Sequence, residues 1–165
     1  NVVFESHLFH DIQKALREAH PYETIAYEVY SLINSFSEVG MGRIGSLKKE
    51  MDLSSFLNFV KKQLNSKVIR HSPPTNKLIK KVAVLGGSGS FAIEDAKRQG
   101  ADAFITADLK YHQFYQGEKS LLLVDVGHYE SEQYIKNLIF DYLTEKLPSF
   151  AFVLSRTKTN PVNYF

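Results

Sequence analysis

The stretch that most limits the fold runs from Lys81 to Val126, where short apolar runs alternate with helical or glycine-containing segments. Lys81–Leu85 reads as a short buried strand, Gly86-Gly87-Ser88-Gly89 as a glycine turn, and Ala92–Arg98 as a helix stopped by Gly100. Ala103–Thr106 and Leu121–Val126 read as two further strands. A long helix is expected from about Tyr129 to Lys146, with Ile135, Leu138, Ile139, Tyr142 and Leu143 facing inward. Pro148 closes it, and Phe150–Leu154 reads as a final strand. Such alternation predicts an α/β architecture with a largely parallel sheet, because parallel neighbours need a crossover between them.

The remainder divides into shorter units. Val2–Phe4 reads as a strand. Leu8, Ile12, Ala15, Leu16 and Ala19 then recur at the spacing of one helical face. Pro21 ends that helix, since it disfavours helical geometry at His20. Thr24–Leu32 alternates like a strand covered on both faces. A polar stretch from Asn34 to Gly45 follows, and Gly40–Gly45 is expected to turn back into a strand. Asp52 suits the N-cap of a second helix carrying Leu53, Phe56, Leu57, Val60 and Leu64 on one face. A polar linker with Pro73-Pro74 spans roughly 65–80.

Composition removes several classes of function. The 165 residues contain no cysteine, which excludes disulfides, thiolate zinc sites, iron–sulfur clusters and a cysteine nucleophile. Any metal must be held by His, Asp and Glu. Lys+Arg is 20 and Asp+Glu is 18, a net charge of +2, which offers no global attraction to nucleic acid or an anionic membrane. The pairs Lys48-Lys49, Lys61-Lys62 and Lys80-Lys81 are dispersed and read as solvated faces. No apolar run approaches the roughly 20 residues of a membrane helix.

Two short segments carry candidate chemistry. Gly127-His128-Tyr129-Glu130-Ser131-Glu132 follows the strand Leu121–Val126 and opens a helix. Ligands in open α/β sheets bind beyond the carboxyl ends of strands. His128 and Glu132, four apart, share a helical face, whereas Glu130 points roughly the opposite way. An imidazole and a carboxylate so placed suit a zinc-like or iron-like divalent ion. The alternative is a helix cap and a satisfied histidine. Asp108 and His112 repeat the four-residue spacing after Ala103–Thr106. They read as ligands, as groups that contact substrate or orient a ligand, or as a cap and an exposed histidine.

Gly87-x-Gly89-x-x-Ala92 also fits a dinucleotide-binding turn, with acidic Asp108 about twenty residues on. A phosphate contact or a plain turn explains the same glycines. His20-Pro21-Tyr22-Glu23 reads as a structural helix-to-strand turn.

Several segments together resemble the longer bacterial Nif-three-like proteins, also labelled GTP cyclohydrolase I type 2 homologues. His20-Pro21-Tyr22-Glu23, Ala26–Tyr30 and Gly40–Gly45 resemble the inserted domain of that family. Val82–Gly89, Gly100–Ala103, Ile105–Asp108 with His112, and Gly127-His128-Tyr129 with Glu132 resemble its second half, in the family's order. The resemblance implies a Nif-three-like core half with a mostly parallel sheet, over 47–165. It implies part of a small α+β, ferredoxin-like inserted domain over 1–46.

It further implies two divalent ions (zinc, iron or manganese) in an intact subunit. His128 and Glu132 match the ligands that the second half supplies, with Asp108 and His112 lining the site in catalytic roles. The paired histidines of the first half have no counterpart here, so the resemblance implies the C-terminal portion of a longer protein. A cytoplasmic homo-oligomer in a hexamer-like ring follows from the same resemblance. So does hydrolase-like action on GTP or another nucleotide-related small molecule, without membrane or nucleic-acid partners. The other class of function is a metal-stabilised scaffold or regulatory module without turnover. Ala107 departs from the family, where glycine commonly precedes the acidic residue.

Overall fold

Asp52 sets the first well-defined helix of the main unit: its Oδ1 accepts the Ser55 N–H at 2.9 Å and its Oδ2 the Ser55 hydroxyl at 2.6 Å. The structure, a computed structural model, describes residues 1–33 and 39–165. The expected polar stretch from Asn34 onward therefore lies partly outside the described residues. The chain forms two units, Asn1–Ser37 and Glu38–Phe165.

Among its described residues the first unit holds a 3-10 turn, Ser6–Leu8, and a helix, α1 (Phe9–Ala19). The helix ends as the spacing predicts: His20 is extended, with φ −89° and ψ 136°, ahead of Pro21. Val2–Phe4 and Thr24–Leu32, expected as strands, have no regular structure. Their β-like pattern records side-chain preference, but a strand also needs a neighbour to bond its backbone, and the described residues of this unit offer none.

The second unit is built on a five-stranded sheet. In chain order its elements are β1 (Arg43–Met51), α2 (Leu53–Gln63), β2 (Arg70–His71), β3 (Ile79–Ser88), α3 (Ile93–Arg98), β4 (Ala103–Ala107), β5 (Leu122–Asp125), α4 (His128–Glu132) and α5 (Ile135–Lys146). The strand order is β1-β3-β4-β5-β2. β3, β4 and β5 are parallel, as the alternation predicts. Both edges are antiparallel: β1 pairs with β3, and β2 with β5. The two-residue β2 lies inside the stretch expected to be a linker.

Two apolar clusters cover the sheet. Ala83, Leu85, Phe104 and Leu123 pack with Ile93 and Ala96 of α3. Ile79, Ala103, Leu122 and Val124 pack with Phe56 and Val60 of α2. Consecutive residues Leu122 and Leu123 thus enter opposite clusters, which is why β5 reads as unbroken apolar sequence.

Three expectations are corrected here. The glycine segment is not a free turn, because Gly86, Gly87 and Ser88 complete β3. Phe150–Leu154 has no regular structure. The long helix is interrupted at Gln133-Tyr134, where Gln133 Nε2 donates to Leu64 O at 3.0 Å and the Tyr134 hydroxyl to Gln63 O at 3.2 Å. These bonds satisfy carbonyls at the end of α2 that have no intrahelical partner. α5 then buries none of its residues: Ile135, Leu138, Ile139 and Tyr142 are 56, 65, 51 and 59% exposed. The apolar face expected to turn inward is in solvent, apart from half-buried Leu143. Among the described residues no helix is long and apolar enough to cross a membrane.

Candidate functional site at the strand ends

The parallel strands β3, β4 and β5 bring their carboxyl ends to one edge, and each delivers a polar side chain there. β3 ends on Ser88, which lies opposite Ala107 of β4. Asp108 follows Ala107 with φ +57°, a left-handed conformation that aspartate tolerates better than most residues. β5 ends on Asp125, and Gly127, at φ +92°, turns the chain into α4 so that His128 opens the helix.

His128 is the centre of the cluster. Its Nδ1 lies 2.6 Å from Asp108 Oδ2, and its Nε2 lies 3.0 Å from Glu132 Oε2. Asp108 Oδ2 also accepts the Ser88 hydroxyl. The side chains of His128, Glu132 and Asp108 are 52, 49 and 47% exposed, so the cluster is open to ligands. Hydrogen bonding from His128, then from Ser88, holds the Asp108 carboxyl below the usual carboxylate range. The bond to Asp108 raises the His128 imidazole against partial burial, and the negative charge of Glu132 assists. The ion pair therefore persists between the lowered Asp108 value and the raised His128 value. It is lost as pH falls below the first or rises above the second, and solvent screening keeps its contribution to stability small.

Gly87 makes room for this arrangement. At φ +67°, a Cβ there would lie 2.5 Å from Glu132 Oε1 and 3.4 Å from His128 Cε1. Gly89 serves packing: its Cβ would overlap the hydroxyl of buried Thr106 and come within 3.0 Å of Leu85 Cδ2. Thr106 Oγ1 in turn donates to Gly87 O at 3.0 Å. Both glycines are thus accounted for by protein contacts, and the helix that follows, α3, has only six residues. Gly89→Ala is expected to destabilise the protein by about 1–3 kcal/mol through overpacking, read as a lower denaturation midpoint.

His112 does not join the cluster. It is exposed in a 3-10 segment, Tyr111–Gly117, and makes no hydrogen bond or ion pair with Asp108, His128 or Glu132. Two residues outside the sequence expectations border the same edge instead. Arg70 of β2 donates to Leu109 O at 3.0 Å and pairs with Asp125, whose side chain is 4% exposed. Glu130 is 6% exposed. The signal for Glu130 was Gly127, where a Cβ would collide with Glu130 Oε2. Arg70 had no signal, because its partner lies 55 residues away.

A cavity of about 660 Å³ opens beside His128. Asp125, Glu130, Asn160 and Tyr164 are on its wall. Burial, then the negative charges of Glu130 and Asp125, raise the Tyr164 phenol above its usual value.

The His128–Glu132 pair suits a divalent cation as a two-donor set. A neutral imidazole donates from only one nitrogen, and Nδ1 faces Asp108. The remaining lone pair on Nε2 then faces a carboxylate, an arrangement relieved by a proton or by a cation between them. Carboxylate–imidazole–metal relays have this form, with the outer carboxylate fixing the ring. Among the described residues no group of three or more His, Asp and Glu side chains is arranged to hold an ion.

Comparisons of sequence and of structure with known proteins agree. The family model described as Duf34/NIF3 (NGG1p interacting factor 3) matches residues 3–161. A Bacillus subtilis protein named GTP cyclohydrolase 1 type 2 homolog is 37% identical over 98% of this chain and 44% of its own length. The solved structure of a Bacillus cereus protein related to NIF3 matches with a TM-score of 0.68 and 34% identity, over 98% of this chain and 46% of that one. A solved Staphylococcus aureus protein, SA1388, matches with a TM-score of 0.73 and 26% identity, over 98% and 54%. The chain thus spans about half the length of these relatives.

Proposed function

The chain belongs to the Duf34/NIF3 family, and from that premise we propose that it carries one half of a divalent-metal site for hydrolysis of a nucleotide-related small molecule. The observation that supports this is His128 clamped between two carboxylates, Asp108 on Nδ1 and Glu132 on Nε2. The relatives' name, GTP cyclohydrolase 1 type 2 homolog, supports the substrate class.

Each residue has a role that follows from its contacts. Ser88 holds Asp108, Asp108 holds the ring through Nδ1, and the ring presents Nε2 beside Glu132. Glu132 has two oxygens, enough to bind one ion or bridge two. When bound, zinc, iron or manganese would acidify a water and stabilise negative charge on a reacting oxygen. A four-coordinate ion needs two donors beyond His128 and Glu132, supplied by water, substrate or another protein segment. Asp108 accepts the Nδ1–H and so keeps the ring in the tautomer whose Nε2 lone pair would face an ion.

The test is retention of zinc, manganese or iron after dialysis, by elemental analysis. Asp108→Asn keeps the size of the side chain and removes its charge, and is expected to weaken retention about 10- to 100-fold. No retained metal in the unaltered protein would overturn the proposal. The exposed apolar row on α5 favours a second reading, a metal-stabilised module that assembles into a homo-oligomer without turnover. That reading predicts the same metal retention and no hydrolysis across a nucleotide panel.

A further inference from the structure

β3 falls out of step with β4 at its carboxyl end. Val84 lies opposite Ile105 and Ser88 opposite Ala107, so the longer stretch on β3 bulges between them, where Gly86 and Gly87 lie. A bulge takes backbone groups out of the sheet ladder, and both polar groups of Gly87 are met by side chains instead. Gly87 O accepts the Thr106 hydroxyl at 3.0 Å, and the Gly87 N–H donates to Ser131 Oγ at 2.9 Å. The Ser131 hydroxyl itself donates to His128 O at 2.8 Å.

α4 has only five residues, too few to hold a helix by its own hydrogen bonds. It takes its place from the bulge. A Cβ on Gly86 would meet Ser131 O and Glu132 Cγ, each at 3.4 Å, so α4 rests against that glycine. Half-buried Ser131 lies outside both apolar clusters, and its hydroxyl bonds β3 on one side and the first turn of α4 on the other. Asp108 orients the ring of His128, but that contact does not place Glu132. Glu132 inherits its direction from the backbone of α4.

We propose that Ser131 is a positioning residue: its hydroxyl locks the first turn of α4 to the bulge of β3 and so sets His128 Nε2 and the Glu132 carboxylate side by side. The inference rests on the proposed metal site and adds a residue that shapes it without touching the ion. The hydroxyl acts twice in this role, as acceptor from Gly87 and as donor to His128 O. Alanine loses both bonds, whereas threonine carries the same hydroxyl and can make both.

The experiment compares the unaltered protein with Ser131→Ala, Ser131→Thr and Asp52→Ala. Zinc retention after dialysis is read beside backbone amide exchange of the metal-free samples. Ser131→Ala is expected to lower zinc retention about tenfold. It is also expected to speed exchange about tenfold at the amides of residues 131 and 133, which bond Gly127 O and Tyr129 O, with the β4 and β5 amides unchanged. Ser131→Thr is expected to stay within about twofold of the unaltered protein in both readings. Asp52→Ala removes the α2 cap, away from the site, and is expected to lower the melting temperature by about 3–6 °C with zinc retention unchanged. The inference is overturned when Ser131→Ala exchanges as slowly as the unaltered protein, when threonine fails as alanine does, or when Asp52→Ala loses as much zinc. Zinc kept in full by Ser131→Ala also overturns it. An unaltered protein without zinc defeats the metal reading, and α4 exchange with its threonine rescue then decides the role of Ser131.

Discussion

Replacing Asp125 by alanine is expected to lower the unfolding free energy by about 3 kcal/mol, mainly because it orphans backbone donors. Asp125 is 3% exposed at the end of β5. Its Oδ2 accepts the buried Leu109 N–H at 2.9 Å and pairs with Arg70, and its Oδ1 accepts the Gly127 N–H at 3.1 Å. Alanine satisfies neither N–H; the buried Leu109 donor costs about 1–3 kcal/mol when unsatisfied, and the part-buried Gly127 donor less. Arg70 is 56% exposed, so its guanidinium turns to water and adds little. Arg70↔Asp125 is also one of only two register pairs joining β2 to the sheet, so that edge loosens as well. Urea denaturation reads the effect as a lower midpoint with an unchanged slope. Asp125→Asn keeps an acceptor and is expected to cost less than alanine. Equal loss in both variants would point to charge, rather than orphaned donors, as the cause.

His128→Ala is expected to remove metal retention altogether, a drop larger than the 10- to 100-fold expected when an outer partner is lost. Among the described residues the imidazole alone connects Asp108 to Glu132, so the variant leaves two carboxylates with no donor between them. Because the ring is 52% exposed and outside both apolar clusters, the melting temperature should hold. Elemental analysis after dialysis, beside a thermal melt, checks both. Equal metal in the variant and the unaltered protein would show that the ion binds elsewhere.

The parts of the fold that were legible in sequence are those whose cause is local. Asp52 caps α2 through Ser55, Pro21 stops α1, and the central strands are unbroken apolar runs because helices cover both faces. The chain's α/β class followed from that central pattern. The edges did not follow, because β1 and β2 pair antiparallel with strands far along the chain. Helical periodicity placed an apolar row on one face of Ile135–Lys146, but it carries no information on whether anything packs there. The break at Gln133-Tyr134 depends on carbonyls of Gln63 and Leu64 about 70 residues earlier.

The same division holds at the site. The i, i+4 spacing brought His128 and Glu132 together as expected, and Asp108 met them because the carboxyl ends of β4 and β5 are adjacent. His112 shares that spacing with Asp108, but it sits in a 3-10 segment, where α-helical spacing no longer aligns side chains. Arg70 left no trace in the sequence, and Glu130 left only the adjacent Gly127, for the opposite reason. Their importance comes from burial and from distant partners, neither of which leaves a periodic trace.

The left-handed backbone at Asp108 narrows the evolutionary drift open to that position. Glycine and asparagine are the replacements that keep this conformation relaxed, and both discard the negative charge that fixes the imidazole. Glutamate keeps the charge but forces a longer side chain into a strained backbone. No single substitution preserves both properties, so change at this residue would have to be accompanied by change in Ala107, Ser88 or the ring it orients.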